Sequence, residues 1–269
     1  MKFLTVLLTA LSACLALLVG ACANNPQAGA SAGVSADRMT ESDESPERKR
    51  ARIRVELALG YFEQGKTTIA LDEIKQAIAT DPTFSEAFSL RGLIYMRLNE
   101  YAIAEDSFKR ALALNPRDSN VLHNLGWLKC QVTQYPQSVV FFEQALSDPL
   151  YAERAKTYMA LGLCQVRAGN LPQAEAALMK SYEYDAGNPV TGYNLANLLY
   201  QKNQDSRARF YIRRINNSAL ANAETLWLGI KIERRLGDQA SMSQLGSQLI
   251  KRFPESKQTA FYQRGAFDE

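Results

Sequence analysis

The feature of this sequence that most constrains its fold is a set of residue columns that returns every 34 positions. The small residue at position 58 recurs at positions 92 and 126, and Pro82 recurs as Pro116. Further columns pair Tyr61 with Tyr95, Ala70 with Ala104, Ile74 with Phe108 and Ala77 with Ala111. After a slip of two residues the period resumes, since Gly162 is followed by Ala196. A fixed period of this length is typical of one structural unit that is stacked several times.

Each period carries the pattern of two helices. Apolar or small residues lie three and four positions apart, as in Ala70, Ile74 and Ala77, which is the spacing of an amphipathic helix. Between the two stretches lies a residue that tolerates a left-handed backbone and therefore ends the first helix. These turn residues are Gly65, Asn99, Gly169 and Asn203. Because Pro82 and Pro116 close the second helix, the sequence predicts an all-α chain of helical hairpins.

These columns resemble the tetratricopeptide repeat (TPR) over residues 51–256. The resemblance implies a right-handed superhelix, an α-solenoid, of about six repeats within residues 48–256. The predicted repeats are 51–84, 85–118, 119–154, 155–188, 189–222 and 223–256. The fifth and sixth depart most from the pattern, because Gly192 and Gly229 stand in columns of large residues. A solenoid end needs a cover, so we expect residues 257–269 to form a C-terminal cap or tail.

The N-terminal residues carry the pattern of an exported protein. Lys2 precedes an apolar run over positions 3–19, which small residues follow, as in a secretory signal peptide. Val19-Gly20-Ala21-Cys22 resembles a bacterial lipobox, which implies a lipoprotein signal peptide at 1–21 and an acylated Cys22. A rival lipobox ends at Cys14, but cleavage there would leave an apolar run at the start of the mature chain. A cleaved signal without a lipid is the other alternative.

Residues 22–47 are predicted to be a flexible tether. They are small and polar, with no aromatic residue and no apolar period. A coil of this length has a root-mean-square reach of roughly 25–30 Å. After Cys22 the second mature residue would be Ala23, followed by Asn24, so no aspartate stands at the sorting position and the resemblance to lipoproteins implies the outer membrane. The pattern G-x-S-x-G at positions 29–33 lacks the strand and helix that a serine hydrolase needs around it.

Composition excludes several classes of function. The formal net charge of +3, from 31 Lys and Arg against 28 Asp and Glu, is too small for binding that depends on phosphate neutralisation. The single histidine cannot supply a set of imidazole ligands, and the sequence contains neither H-E-x-x-H nor a phosphate-binding glycine loop. We therefore expect no enzyme, no catalytic residues, no cofactor or metal, no nucleic-acid partner and no small-molecule substrate.

The inner side of a TPR superhelix is lined by the first helix of each repeat, and binding residues are expected there. The resemblance maps these partner-binding positions to Leu59, Phe62, Leu93, Met96, Arg97, His123, Trp127, Met159, Leu163, Arg167, Tyr193, Asn197 and Tyr200. Trp227, Lys231 and Arg234 hold the inward columns of the sixth repeat. Aromatic residues, methionines and arginines together are typical of a protein-binding patch. The alternative for any one of them is packing between repeats.

Two cysteines lie on the first helices of adjoining repeats. Cys130 and Cys164 are most simply small residues of the core. In an oxidising compartment, a pair on neighbouring repeats could instead form a disulfide bond. The sequence alone leaves both interpretations open.

The lipobox, the short tether and about six TPR units together resemble the type IV pilus biogenesis and stability lipoproteins, the PilF/PilW family. Tyr193-Asn194-Leu195-Ala196 and the run 235–238 add to this resemblance. It implies a pilotin, a protein that binds subunits of the type IV pilus secretin and promotes their outer-membrane localisation and multimerisation. Its acylated Cys22 would enter outer-membrane lipid, and the folded part would lie on the periplasmic face. The alternative is another envelope TPR lipoprotein that acts as an assembly scaffold, either for β-barrels or at the cell wall.

Overall fold

The computed structural model describes residues 43–268, which contain thirteen α-helices and no β-strand. The helices are α1 Pro46–Glu63, α2 Thr67–Thr80, α3 Ser85–Arg97, α4 Tyr101–Leu114, α5 Ser119–Gln131, α6 Tyr135–Ser147, α7 Arg154–Arg167, α8 Leu171–Tyr184, α9 Pro189–Gln201, α10 Asp205–Asn216, α11 Ala223–Arg235, α12 Gln239–Arg252 and α13 Lys257–Gln263. The all-α prediction is confirmed for this range. The predicted signal peptide, Cys22 and the tether up to position 42 lie outside the described residues.

Helices α1 to α12 form six hairpins, each made of two helices that follow one another along the chain. The predicted turn residues Gly65, Asn99, Gly169 and Asn203 all have a left-handed backbone, with φ of 76°, 61°, 78° and 57°. In the third hairpin Thr133 takes this conformation, with φ of 61°, although its branched side chain disfavours it. The repeat columns did not predict this substitution.

Small residues in the first helices allow the second helices to approach closely. A methyl group added at Gly126 would lie 2.7 Å from the ring of Phe142, and one at Gly162 would lie 2.6 Å from Leu178. Gly92 has the same relation to the fully buried Phe108. The period of 34 positions therefore reflects a repeated contact between a small and a large residue.

The hairpins stack into a solenoid. First helices contact each other from one hairpin to the next, as α1 does with α3, α3 with α5, α5 with α7, and α9 with α11. Each second helix packs against the first helix of the following hairpin. The buried core crosses these junctions, because Phe108 of α4 shares one cluster with Val121 and Leu125 of α5. The face lined by the first helices is called the inner face below.

A disulfide bond joins Cys130 on α5 to Cys164 on α7, with the two Cα atoms 5.8 Å apart. Both residues are buried, and the hydroxyl of Ser138 lies 3.2 Å from the Cys164 sulfur. The structure therefore supports the bridge, the second of the two interpretations. Closing a loop of 34 residues contributes about 3 to 4 kcal/mol in the chain-entropy account.

The last helix covers the end of the stack. Helix α13 packs against both α11 and α12, and its N-terminus is capped by Ser256, which accepts from the Thr259 amide at 3.2 Å. A side chain at Gly246 on α12 would overlap the ring of Tyr262 on α13. Within residues 43–268, no helix combines the length and apolar character that crossing a bilayer requires.

Candidate protein-binding surface

The predicted binding residues all lie on α1, α3, α5, α7 and α9, the first helices of the first five hairpins. Leu59, Arg97 and Arg167 are exposed, and His123 is buried. The others are half-buried: Phe62, Leu93, Met96, Trp127, Met159, Leu163, Tyr193, Asn197 and Tyr200. Most of the set therefore borders the core with one side and faces solvent with the other.

Arginines at the ends of first helices reach back to the preceding repeat. Arg97, the last residue of α3, places its guanidinium carbon 3.5 Å from the ring centroid of Phe62 and donates to the Phe62 carbonyl. This carbonyl belongs to the last turn of α1, where the helix dipole favours a cation. The contact fixes the guanidinium on the inner face at the first junction.

The same arrangement recurs between α5 and α7. Arg167, the last residue of α7, lies 5.0 Å from the ring centroid of Trp127 and donates to the Gln131 side chain at 3.0 Å. The structure therefore brings together two predicted residues, Trp127 and Arg167, that are far apart in sequence. An aromatic ring and a positioned cation side by side are common in protein-binding surfaces.

A third junction of this kind was not fully predicted. The guanidinium of Arg235, at the end of α11, lies 3.7 Å from the ring centroid of Tyr200 on α9 and also pairs with Asp205. The column pattern pointed to Arg234, whose guanidinium instead lies 4.4 Å from the ring of Phe267. Arg235 follows Arg167 by 68 residues, two periods of 34, so the spacing places Arg235 in the column of Arg97 and Arg167, and the mapping to Arg234 was one residue early.

Between these arginines the inner face presents apolar side chains. Leu93 and Met96 on α3 pack with one side against the core cluster that contains Phe108. Met159 and Leu163 on α7 are half-buried, and Leu59 on α1 is 43% exposed. A methionine that is only partly covered can adapt to the surface of a partner. The central part of the inner face is therefore apolar with basic residues at its edge.

His123 does not belong to the exposed surface. The ring is 7% exposed, and Nδ1 lies 2.8 Å from the hydroxyl oxygen of Thr157. Burial, with a smaller contribution from Lys156, lowers the pKa of His123 from 6.5 to about 4, so the ring is neutral. Its role is inter-repeat packing, which leaves little of the ring for a partner.

The fifth and sixth hairpins enclose a pocket on the inner face. It has a volume of about 200 Å³ and is lined by Tyr193 and Asn197 of α9, Trp227 and Lys231 of α11, and Phe261 of α13. Burial raises the pKa of Tyr193, which is therefore protonated at neutral pH. Phe261 was not a predicted site residue, because the repeat columns end before it.

No group of three or more His, Cys, Asp or Glu residues that could hold a metal ion occurs between residues 43 and 268. The inner face is chemically suited to holding another polypeptide through apolar contacts and charge.

Comparison with known proteins identifies the relatives of this chain. A tetratricopeptide repeat model matches residues 85–118. The type IV pilus assembly protein PilF of Pseudomonas aeruginosa is 26% identical over 202 residues, which are 75% of this chain and 80% of that protein. The solved structure of Pseudomonas aeruginosa PilF has a TM-score of 0.73 at 25% identity and covers 82% of this chain and 100% of its own. This chain has a TPR fold and is similar to PilF over most of its length. The predicted resemblance to the TPR proteins of type IV pilus biogenesis is thereby confirmed, and its lipoprotein part stays a prediction.

A second solved structure agrees. That of PilW, described as a widely conserved type IV pilus biogenesis factor, is similar with a TM-score of 0.71 and 27% identity. The match covers 79% of this chain and 97% of that one. The similarity therefore extends over most of the hairpins, well beyond the repeat that the family model matches.

Proposed function

We propose that this chain is a pilotin: an outer-membrane lipoprotein that binds subunits of the type IV pilus secretin and promotes their localisation and multimerisation in that membrane. The observation that carries the proposal is the similarity to PilF and PilW over most of the chain. The proposed docking surface is the inner face, where positioned arginines border half-buried apolar side chains.

In this proposal the lipid on Cys22 confines the inner face to the periplasmic side of the outer membrane. Buried acyl methylenes contribute about 0.8 kcal/mol each, so several chains make the anchor persistent. A secretin segment that binds the inner face is then held at a high local concentration next to other bound subunits. Binding shifts the equilibrium towards secretin subunits that are held at the membrane. This raises the yield of multimers by mass action, without any covalent step.

The disulfide bond supports an envelope location. Disulfides persist in oxidising compartments such as the periplasm and are rare in the cytosol. The Cys130–Cys164 bond also fixes α5 to α7, the two helices that carry Trp127 and Met159. A surface that is rigid before binding loses less conformational entropy when a partner docks.

Secretin fractionation tests the central step. Cells that lack this chain are expected to accumulate secretin monomers or to place multimers in the inner membrane. The measurement is immunodetection of secretin in separated inner and outer membranes. Normal multimers in the outer membrane would reject the pilotin function.

The anchor is tested by a pair of cysteine variants. Cys22→Ala is expected to move the chain from the membrane fraction to the soluble periplasmic fraction, whereas Cys14→Ala is expected to leave it in the membrane. The opposite result would assign the lipid to Cys14. Membrane association of both variants would contradict acylation at a single lipobox.

The docking surface is tested on α5 and α7. Met159→Ala and Trp127→Ala are expected to weaken secretin capture while circular dichroism shows unchanged helicity. Val140→Ala on α6 is the matched control, because this residue is 50% exposed on a second helix. Equal loss of capture in the control, or none in the two variants, would move the contact away from the inner face.

A further inference from the structure

The segment Gly265–Asp268 folds back over the inner face of the sixth hairpin. Helix α13 ends in the same turn as the hairpins: the Gly265 amide donates to the Tyr262 carbonyl at 3.1 Å and the Ala266 amide to the Phe261 carbonyl at 2.9 Å. Gly265 has φ of 67°, so the chain reverses there. In the hairpins this turn leads into a second helix, but here it leads to Phe267.

The ring of Phe267 lies against Trp227 and Arg234, two of the residues mapped to inward columns of the sixth repeat. It stacks on Trp227, with ring centroids 5.6 Å apart and an interplanar angle of 16°. On α11, Arg234 places its guanidinium carbon 4.4 Å from the same ring. Trp227, which also contacts the ring of Phe261, is only 6% exposed, whereas Trp127 of the third hairpin is half-buried. One inner-face aromatic residue is thus covered by the chain itself.

Charge complements this contact. Asp268 follows Phe267 in the chain. The pKa of Lys231 is lowered overall, chiefly by burial and then by the charge of Arg235, and the negative charge of Asp268 acts against this by raising it. Lys257 lines the adjoining pocket of about 200 Å³ as a further basic residue. The site therefore offers the Trp227 ring for stacking and the Arg234 guanidinium for a cation–π contact with an aromatic side chain. Lys231 and Lys257 are basic residues that can attract a carboxylate.

We propose that this surface is a binding site for a polypeptide segment that carries an aromatic residue followed by an acidic one, and that Phe267 and Asp268 occupy it until such a segment displaces them. The inference rests on the proposed function in one respect only, namely that the inner face binds polypeptide. It does not require the partner to be a secretin.

A peptide experiment on the full chain tests the proposal. The probe is a fluorescent peptide with the sequence of residues 265–269, Gly-Ala-Phe-Asp-Glu. The variant Phe267→Ala empties the site and is expected to bind the probe at least about tenfold more tightly than wild type, because the tethered segment competes at an effective concentration of about millimolar. A probe with Ala in place of Phe is expected not to bind, and one with Lys in place of Asp to bind more weakly.

A second variant keeps the test decisive if Phe267→Ala does not fold. Gly265→Val strains the left-handed turn without removing the ring, and it is expected to raise probe binding by a smaller factor. Phe210→Ala on α10 is the matched control, since this exposed ring lies on a second helix and its loss is expected to leave probe binding at the wild-type level.

The proposal would be overturned if Phe267→Ala and Gly265→Val both bound the probe no better than wild type, or did not bind it at all. Phe267 would then be a fixed part of the C-terminal cap. Such a result would not bear on the secretin proposal, whose variants lie on α5 and α7. Conversely, normal secretin assembly without this chain would leave the peptide result intact.

Discussion

Two junctions between hairpins are built on the same positions with opposite charges. Between α4 and α5, Lys129 Nζ lies 2.8 Å from Glu105 Oε1. Between α10 and α11, Arg209 Nη2 lies 2.7 Å from Glu233 Oε2. Glu105 and Arg209 are equivalent positions three repeats apart, and so are Lys129 and Glu233. The cation therefore lies on the first helix in one junction and on the second helix in the other.

The comparison shows what these positions require. The first-helix member is the buried one in both cases, since the side chains of Lys129 and Glu233 are 7% and 1% exposed. An unpaired buried charge lowers the free energy of unfolding by several kcal/mol. Pairing it with an opposite charge approximately offsets that cost. Glu233 has a second partner in Arg213, at 2.9 Å. The junction thus demands complementary charge, while the sign is free.

The largest expected effect on stability comes from removing charge complementarity at the junction of α4 and α5. Lys129→Glu places a buried carboxylate beside Glu105 and is expected to lower the free energy of unfolding by about 4 kcal/mol. Adding Glu105→Arg copies the polarity of the other junction and is expected to recover most of this loss. Urea unfolding followed by circular dichroism measures both. If the double variant were no more stable than Lys129→Glu, the two junctions would not be equivalent.

The second prediction weakens the other junction without reversing it. Glu233→Gln keeps the size of the side chain but removes the charge that faces Arg209 and Arg213. Because these arginines stay partly exposed, 28% and 46%, they can be hydrated, and the expected loss is about 2 to 3 kcal/mol. The matched control is Glu224→Gln, an exposed position on the same helix, which is expected to change stability by less than about 0.5 kcal/mol. Equal losses of unfolding free energy in both variants would show that the buried ion pair of Glu233 does not stabilise the junction.

A third kind of inter-repeat contact, near the disulfide, uses an uncharged polar pair, His123 and Thr157. The unfolded chain protonates this imidazole near pH 6.5 but the folded chain only near pH 4, so acid favours unfolding. Its stabilising effect is complete above about pH 6.5 and is lost as the pH falls towards 4. Between about pH 7 and pH 5 the expected loss is about 2 kcal/mol.

Carboxylates with lowered pKa values, such as Glu105 and Glu175, also destabilise the fold in acid. The measurement that isolates the histidine is therefore the difference in pH dependence between wild type and His123→Asn. A flat difference across this range would contradict a buried, neutral imidazole.

Sequence columns predict the parts of this molecule that repeat. Gly65 and Asn99 end helices because a left-handed backbone suits them, and Gly92 faces Phe108 because the contact recurs at the next repeat. Features that occur once are beyond such reasoning. No column contains Phe267, whose position depends on one turn at Gly265, and the burial of His123 depends on the neighbouring Thr157. The lipid anchor and the partner-binding residues remain predictions.

The smallest expected effect concerns the arginines of the inner face. Arg97→Met and Arg235→Met each remove a cation from an aromatic ring, and because the arginines are exposed, each is expected to cost at most about 1 kcal/mol of stability. Arg235 also pairs with Asp205, so its loss is expected to be the larger by a few tenths of a kcal/mol. Urea unfolding of the two variants in parallel measures the difference. A loss of several kcal/mol in either would mean that these arginines hold the repeats together, as the buried pairs do, rather than presenting charge to a partner.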